Sequence, residues 1–535
     1  MINDWKEAAA IAAATDRSAR SRCRVFPGQS LALGTAGDRS SHRQRDTRRV
    51  HVSELMLPPA SVWTGVLLCF GAAIFPLKTA GQSIVPSGVE KTISGARNGD
   101  QSAPAVSVDG DGGFVVWEDN TIETSHSSKG IAAVRLGPDW SVTGAPFQVN
   151  SQTSGNQEKP QSLLLANSRA LVTWESKAAN KSSIFGRVLS RDGTLLSGEF
   201  LINPTTTVTN FKQQVSWTGI FRNRTKTRKY KFKESYSFIR EHAGGASLVA
   251  LPDGGAIVAY HAVRRTYTNT FTLVRESNWN GVRSMTNDYL RPILQIGDWM
   301  QDVFLQRIDS EGNRVGSAIQ VNQYDRFNQR DPSIALLANG NVIVTWVSER
   351  PQTGWALDNF ALSLYAREMT TAGDPVGAEF MVGEDPARAS ANPVIATLGS
   401  GFGIYWSQHE SVGTGRWNVY GRVFSAAGVP AGEPFLVNVH TEGNQYAPRV
   451  SSGPARFIVW TSLGQDGSRE GVYGRTLVNG VPEGNEVGVN TTIGSRQHQP
   501  SVSGSEGRVI SVWSTYSGEQ GFDLSSQVYV IGDAK

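Results

Sequence analysis

Between Gln101 and Asn150 the chain reads Gln101-Ser-Ala-Pro104, Gly112-Gly-Phe-Val-Val-Trp117, Val134-Arg135 and Phe147-Gln-Val-Asn150, with short turns between. Each apolar run is rich in β-branched and aromatic residues and bounded by Gly, Asp, Asn or Pro, so each reads as a strand. The skeleton returns along the chain. Its second strand ends each time in a large aromatic: Trp117, Trp174, Tyr260, Trp346, Trp406, Trp460 and Trp513. A unit that cannot bury its own faces must stack on its neighbours, so the repetition sets the architecture. No stretch holds a sustained helical period. The expected fold class is all-β, a seven-bladed β-propeller of four-stranded blades.

Spacing also predicts how the ring closes. Seven residues separate the end of a fourth strand from the next glutamine: Asn150 to Gln157, Asn322 to Gln329, Asn438 to Gln445 and Asn490 to Gln497. The fifth unit keeps the step with Gly383 and Ser390. The same step back from Gln101 lands on Ser94, so Gly88 to Ser94 (GVEKTIS) reads as a fourth strand with no unit before it. The seventh unit stops after its third strand, near Gln527 to Ile531, and lacks a fourth. An N-terminal strand that completes the last blade removes the exposed sheet edges.

With GGFVVW and Trp460 to Arg475 (WTSLGQDGSREGVYGR) in view, the units resemble the tandem GGFVVxW/GVYGR-type β-repeats of secreted bacterial surface proteins. That resemblance covers most of Gln82 to Lys535 and implies an extracellular β-rich fold. It implies little about activity. The third unit departs from it, with Tyr260 for Trp and Ala246 for Pro, and the seventh has Gln527 where arginine is expected.

The 535 residues suit one large repeat array, and their charge is uneven. Met1 to Gly81 holds 11 Lys+Arg against 6 Asp+Glu, which leaves the remainder of the +4 chain at −1. Both cysteines, Cys23 and Cys69, lie in that leading segment, so the body has neither disulfides nor thiolate chemistry. Residues 1–55 read as a disordered or miscalled leader. Residues 56–81 read as a signal peptide: Val62 to Phe75 has the length of its apolar region, and Thr79-Ala80-Gly81 offers small residues for cleavage. The propeller then occupies 82–535, secreted or at the cell surface, with no transmembrane span after cleavage and no intracellular nucleic acid as partner. A monomer is expected.

The repeated residues have structural readings. The ring aromatics pack one blade on the next. Arg135, Arg187, Arg307, Arg367, Arg422 and Arg475 stack on aromatics or bond loop carbonyls. Asp109-Gly-Asp111-Gly112 matches half a calcium loop, yet a hairpin turn needs the same residues. No metal, no cofactor and no catalytic set is assigned.

Function is expected in blade 3, about 204–322, which carries two insertions at 204–245 and 262–300. In a propeller both emerge on the same face, and long loops on a rigid scaffold carry binding. The first insertion has nine Lys+Arg against two Glu, +7; the second has five Arg against three acids, +2; the remaining ring is then −10. A basic, aromatic prominence over an acidic ring suits an acidic glycan or a cell-surface polyanion. Arg222, Arg224, Lys226, Arg228, Lys229, Tyr230, Lys231, Trp279 and Trp299 are its candidate ligand-binding residues. The resulting expectation is a secreted, non-enzymatic propeller for extracellular binding or adhesion. The alternative is a carbohydrate-active enzyme, a glycoside hydrolase or polysaccharide lyase, on the same face. Its candidates are Glu276, Asp288 and Asp298 near Arg264 or Arg265, with His261 read as a satisfied strand-end histidine.

Overall fold

The computed structural model describes residues 82–533 except 96, 124–127, 179–180, 204–213, 220–227, 239–241, 264–266, 278–300, 352–359, 387, 411–414, 454–455 and 519–520. In 214–219, 228–238 and 267–277 the backbone alone is described. The leader and signal peptide expected in 1–81 lie outside the described residues.

Seven antiparallel sheets form a closed ring. Blade 1 shows the pattern: strand A Gln101–Asp109, B Gly112–Asp119, C Gly130–Leu136 and D Val142–Gln148 pair in that order. Blades 2, 4, 5 and 6 repeat it from Asn156–Leu164, Gln329–Leu336, Ser390–Leu398 and Gln445–Val450. Blade 3 is built of Ala243–Ala250, Ala256–Val263, Gln301–Ile308 and Arg314–Gln320. Each strand A packs against the A strands of both neighbouring blades, so the seven form an inner ring around the axis. The fold is a seven-bladed β-propeller.

The ring aromatics sit where they were expected. All are at most 1% exposed. Seven core clusters fill the seven gaps between blades, each with one of these aromatics. Trp460, for instance, packs on Ala396 and Tyr405 of blade 5, and Trp117 packs on Ile510 and Val512 of blade 7. A ring of this size removes on the order of 200 Å² from water, which is why the position tolerates little but Trp. In blades 2 and 4 the repeated glutamine serves the indole: Gln157 accepts from Trp174 Nε1 at 3.1 Å and Gln329 from Trp346 Nε1 at 3.2 Å. In blade 5, where Ser390 replaces glutamine, Trp406 donates to Gln408 instead, at 3.0 Å.

The last blade is closed from the other end of the chain. Lys91–Thr92 pairs with Ser525–Ser526 on strand C, Phe522–Asp533, and Gln82–Pro86 pairs with the end of the same strand. The N-terminal strand reproduces the contacts of an ordinary strand D. Asn150 accepts the amide of Ile131 at 2.7 Å, and Ser94 accepts that of Leu524 at 3.2 Å. Glu379 accepts the Gln323 and Tyr324 amides of the preceding blade, at 2.6 and 3.3 Å. Glu90 does the same for Thr491 and Thr492, at 2.8 and 3.1 Å, across 401 residues of sequence.

The arginines bond carbonyls. Nη1 of Arg187, Arg367, Arg422 and Arg475 donates to Val149, Val321, Val382 and Val437 on the strand D of the blade before. Arg135 and Arg307 do not belong to this set. Counted three residues on from the strand C amide that the Asn just after strand D accepts, the position held by Arg187, Arg422 and Arg475 is Val134 in blade 1 and Gln306 in blade 3. A one-residue offset on a strand points to the opposite face. Arg307 pairs with Asp253. In blade 7 the task is divided: Gln527 donates to the Gly88 carbonyl, and Tyr529 Oη donates to Val489 at 3.1 Å. Asp109 is an ordinary turn residue, accepting the Asp111 amide at 2.9 Å and pairing with Arg191 of blade 2. Among the described residues no group of three or more His, Cys, Asp or Glu could hold a metal, and no helix is long and apolar enough to cross a membrane.

Candidate functional site

The inner ring carries a strained position in every blade. Two residues into strand A the pairing with strand B slips at a bulge. The residue that opens the bulge has a left-handed φ: Ala103 (51°), Lys159 (52°), Gly245 (66°), Asp331 (52°), Asn392 (52°), Ala447 (54°) and Gln499 (55°). Such backbone costs a non-glycine residue about 1–3 kcal/mol and persists only where its surroundings hold it.

What holds it is a clasp from the preceding blade. In four blades the residue directly after the ring aromatic accepts the strained residue's N–H; blade 4 has Val347 there. Glu118 Oε1 takes Lys159 at 2.9 Å, Glu175 Oε1 takes Gly245 at 2.7 Å, His261 Nδ1 takes Asp331 at 3.2 Å and Ser407 Oγ takes Ala447 at 2.9 Å. At the seam between blades 7 and 1, Gln499 Oε1 takes Ala103 at 3.1 Å.

These two sets of positions make the inner ring asymmetric. Blades 5 to 7 present Ser407, Thr461 and Ser514 after the aromatic and Asn392, Ala447 and Gln499 at the bulge, all neutral. Blades 1 to 3 present Glu118, Glu175 and His261 after the aromatic and blade 4 the apolar Val347, while blades 2 and 4 carry Lys159 and Asp331 at the bulge. Lys159 Nζ lies 3.2 Å from Glu175 Oε1, and Lys129 Nζ 2.7 Å from Glu118 Oε2. Arg330 pairs with Asp331 at 2.8 Å and with Glu349 at 3.4 Å. Blade 3 lets these groups meet by having no side chain there. A Cβ on Gly244 would stand 2.8 Å from Glu175 Oε1 and 3.2 Å from His261 Nε2.

Lys159 and Asp331 are water-accessible, with side chains 53% and 37% exposed, whereas Glu175 is 1% exposed. Enclosure by the inner ring works against the charge on Lys159, but Glu175 and Asp331 outweigh it and hold the ammonium above its usual pKa. Burial likewise opposes charge on Glu175, and Lys159 with the Gly245 amide overrides it, keeping the carboxyl below the usual range. Asp331 is also held low: burial opposes its charge, and His261, Arg330 and Lys159 prevail. Arg449, on strand A of blade 6, keeps contact with water although the ring hems it in. That enclosure lowers its pKa, and the charge of Asp331 opposes the fall.

Two imidazoles complete the group. His261 is buried, which pulls its pKa down to about 4 against the pull of Asp331 and Glu175. Because Nδ1 accepts the Asp331 amide, Nε2 carries the proton, which fits the reading of His261 as a satisfied strand-end histidine. His242 stands edge-on to it, with centroids 5.9 Å apart. It is partly exposed and also held neutral, by burial above all, with Lys159 and Lys177 adding to the effect. Its buried Nδ1 has no hydrogen-bond partner.

The expected ligand-binding residues lie elsewhere. Arg222, Arg224, Lys226, Trp279 and Trp299 fall outside the described residues, as do Asp288, Asp298, Arg264 and Arg265. Arg228, Lys229, Tyr230 and Lys231 lie on Arg228–Phe238, which pairs with Gln214–Gly219 and Tyr267–Ser277 in a three-stranded sheet of its own. The two insertions therefore meet. Glu276 pairs with Lys229 in this sheet. Sequence reasoning missed Lys159, Glu175, His242 and Asp331. For Lys159, Glu175 and Asp331 the signal available was a fixed offset from two landmarks, one residue after the ring aromatic and one before the proline; His242 sits at neither offset.

No family model and no curated protein matches the chain. Solved structures are similar in fold. A Dyadobacter fermentans protein of unknown function is 9% identical, with 84% of this chain and 99% of that one covered and a TM-score of 0.44. For a Penicillium chrysogenum alpha-L-arabinanase the values are 11%, 83%, 98% and 0.40, and for the polysaccharide lyase Uly1 they are 10%, 81%, 90% and 0.42. At such identities and scores nothing about chemistry passes from them to this chain.

Proposed function

We propose that this protein is a carbohydrate-active enzyme that cleaves an acidic polysaccharide at the charged arc of blades 1 to 4. One observation carries the reading. A serine suffices for the clasp in blade 5, so Glu118, Glu175 and His261 exceed what the fold requires, and the excess gathers on one side of the axis beside Lys159 and Asp331. Fixed charge concentrated in one place is what a binding site needs.

The protonation states favour elimination over hydrolysis. Hydrolysis of a glycosidic bond needs a carboxylic acid that holds its proton. Glu175 and Asp331 are both held ionised. Elimination next to a uronate carboxylate needs a neutral base and a cation to offset the developing negative charge. His242 fits the base and Lys159 the cation. The base removes the proton on the carbon bearing the carboxylate. That electron pair forms the new carbon–carbon double bond as the glycosidic C–O bond breaks, and the departing oxygen takes a proton from water. The reading takes the protein to be secreted, as Val62 to Phe75 and the kinship with surface-protein repeats suggest.

The test is digestion of uronate-containing and neutral polysaccharides, followed by ultraviolet absorbance of the unsaturated product and by reducing ends. Both should rise together on a polyuronate, and His242→Asn and Lys159→Met should abolish both. Reducing ends without unsaturated product would mean hydrolysis. No cleavage of any glycan would return the protein to the non-enzymatic binding class.

A further inference from the structure

The insertions carry a second surface. In the sheet they form, each strand places alternate residues on opposite faces. Positions 229, 231 and 233 share one face. Their registered neighbours there are Thr218 and Ser216 on one side and Glu276, Val274 and Thr272 on the other. The opposite face takes Arg228, Tyr230, Phe232, Glu234, Tyr236 and Phe238, with Arg275 on Tyr230, Trp217 and Leu273 on Phe232, and Phe271 on Glu234. The register thus divides residues expected to act together: Lys229 and Lys231 fall on one face, Arg228 and Tyr230 on the other. One face carries a row of three lysines beside Ser216, Thr218 and Thr272, with Glu276 registered on Lys229 and Val274 on Lys231, and the aromatics are segregated from it.

We propose that the row Lys229, Lys231 and Lys233 is an accessory docking strip for an anionic polysaccharide. Successive lysines on one face stand roughly 6.6 Å apart, twice the rise of a strand, so a straight row of three spans several sugar rings. The insertion that carries the row is +7 by sequence against −10 for the remaining ring, so this side of the surface attracts a polyanion. Single-stranded nucleic acid is the poorer fit. Its binding relies on aromatic platforms beside the cations, and here the register puts the aromatics on the other face. Hydroxyl and lysine neighbours suit sugar hydroxyls and dispersed carboxylates or sulfates. The proposed enzymatic function enters only in the identity of the polymer: the strip would hold the chain that the charged arc cleaves.

The test uses the full chain with polygalacturonate, neutral dextran and a single-stranded oligothymidylate as probes. The first variant replaces Lys229, Lys231 and Lys233 by Thr, which keeps strand propensity; the second replaces all three by Arg, which keeps charge. Wild type and the Arg variant should bind polygalacturonate with affinity that falls as salt rises. The Thr variant should bind about tenfold or more weakly, a loss of roughly 1.4 kcal/mol, with a flatter salt dependence. Dextran should bind none of them. Equal binding by wild type and the Thr variant would overturn the strip, and tighter, lysine-dependent binding of oligothymidylate would overturn the polysaccharide assignment. Strip-dependent binding without cleavage of any glycan would count against the enzyme and leave the strip standing.

Discussion

His261 gives the sharpest test of the clasp. Its Nδ1 must stay unprotonated to accept the Asp331 amide, and burial holds its pKa at about 4 against the ordinary 6.5. A histidine lowered in the folded state binds fewer protons there than in the unfolded chain. Its contribution to stability is therefore complete above about pH 6.5 and is lost as the pH falls toward 4. At about 1.4 kcal/mol per pH unit the loss has a ceiling of roughly 3 kcal/mol, of which about 2.5 kcal/mol has gone by pH 4.5. The facing groups are Asp331, Glu175, His242 and Lys159. Both carboxyls are lowered from ordinary values of 3.8 and 4.5, so what they contribute is lost mainly below that window. His242, lowered by burial, adds a loss in the same direction as the pH falls below its ordinary 6.5.

The control is His261→Asn, whose Oδ1 can take the place of Nδ1 without titrating. Urea unfolding at several pH values between about 8 and 4.5 should give a steep decline for wild type and a shallower one for the variant, the remainder belonging to His242 and His498. Proton NMR of the imidazoles should show His261 untitrated until near pH 4. Parallel declines in the two proteins would refute the clasp as the seat of this pH dependence.

Other positions make independent tests. Gly245→Ala places a Cβ 2.6 Å from His261 Nδ1 at φ +66°, and should cost about 2–4 kcal/mol. Gly316→Ala, with φ +70° and open space, should cost only about 1 kcal/mol; equal losses in denaturant midpoints would contradict the crowding. Glu90→Ala and Glu379→Ala remove matching bonds, worth about 1–3 kcal/mol each. Only the first should expose residues 82–95 to limited proteolysis, and equal cutting in both would speak against closure by the N-terminal strand. Trp460→Ala should cost about 3–5 kcal/mol in thermal or urea unfolding, and a loss below 1 kcal/mol would remove the ring aromatics as the packing between blades.

Fold and closure were legible because backbone geometry repeats them. The Asn-to-Gln step of seven residues is the length of the turn that leads from one blade's outer strand to the next blade's inner strand. Ser94 could be placed by counting because its job, accepting an amide near the start of strand C, survives the change from Asn to Ser. Matching by residue type failed where counting would have succeeded. Arg135 and Arg307 were grouped with the other arginines although each is one residue beyond the carbonyl-bonding position, which in blade 3 holds Gln306. On a strand, position outranks identity, because one step reverses the face.

The charged arc was harder to read for a related reason. In blades 1, 2, 3 and 5 the position after the ring aromatic has the same backbone duty and a free choice of acceptor. Glu118, Glu175 and His261 therefore look individually like strand-end polar residues, each satisfied by one amide. Their excess is visible only when the seven positions are compared with one another and then with the bulge residues they clasp. Lys159 and Asp331 occur at that bulge in blades 2 and 4, on either side of the blade whose bulge residue is Gly245. The substitution of Tyr260 for Trp and the insertions draw the eye to blade 3, yet its own contribution to the arc is mostly subtraction. Gly244 and Gly245 remove the side chains that would stand between Glu175, His261 and Asp331. A site made partly of missing atoms has no residue-type signal, and only its neighbours, read at fixed offsets, disclose it.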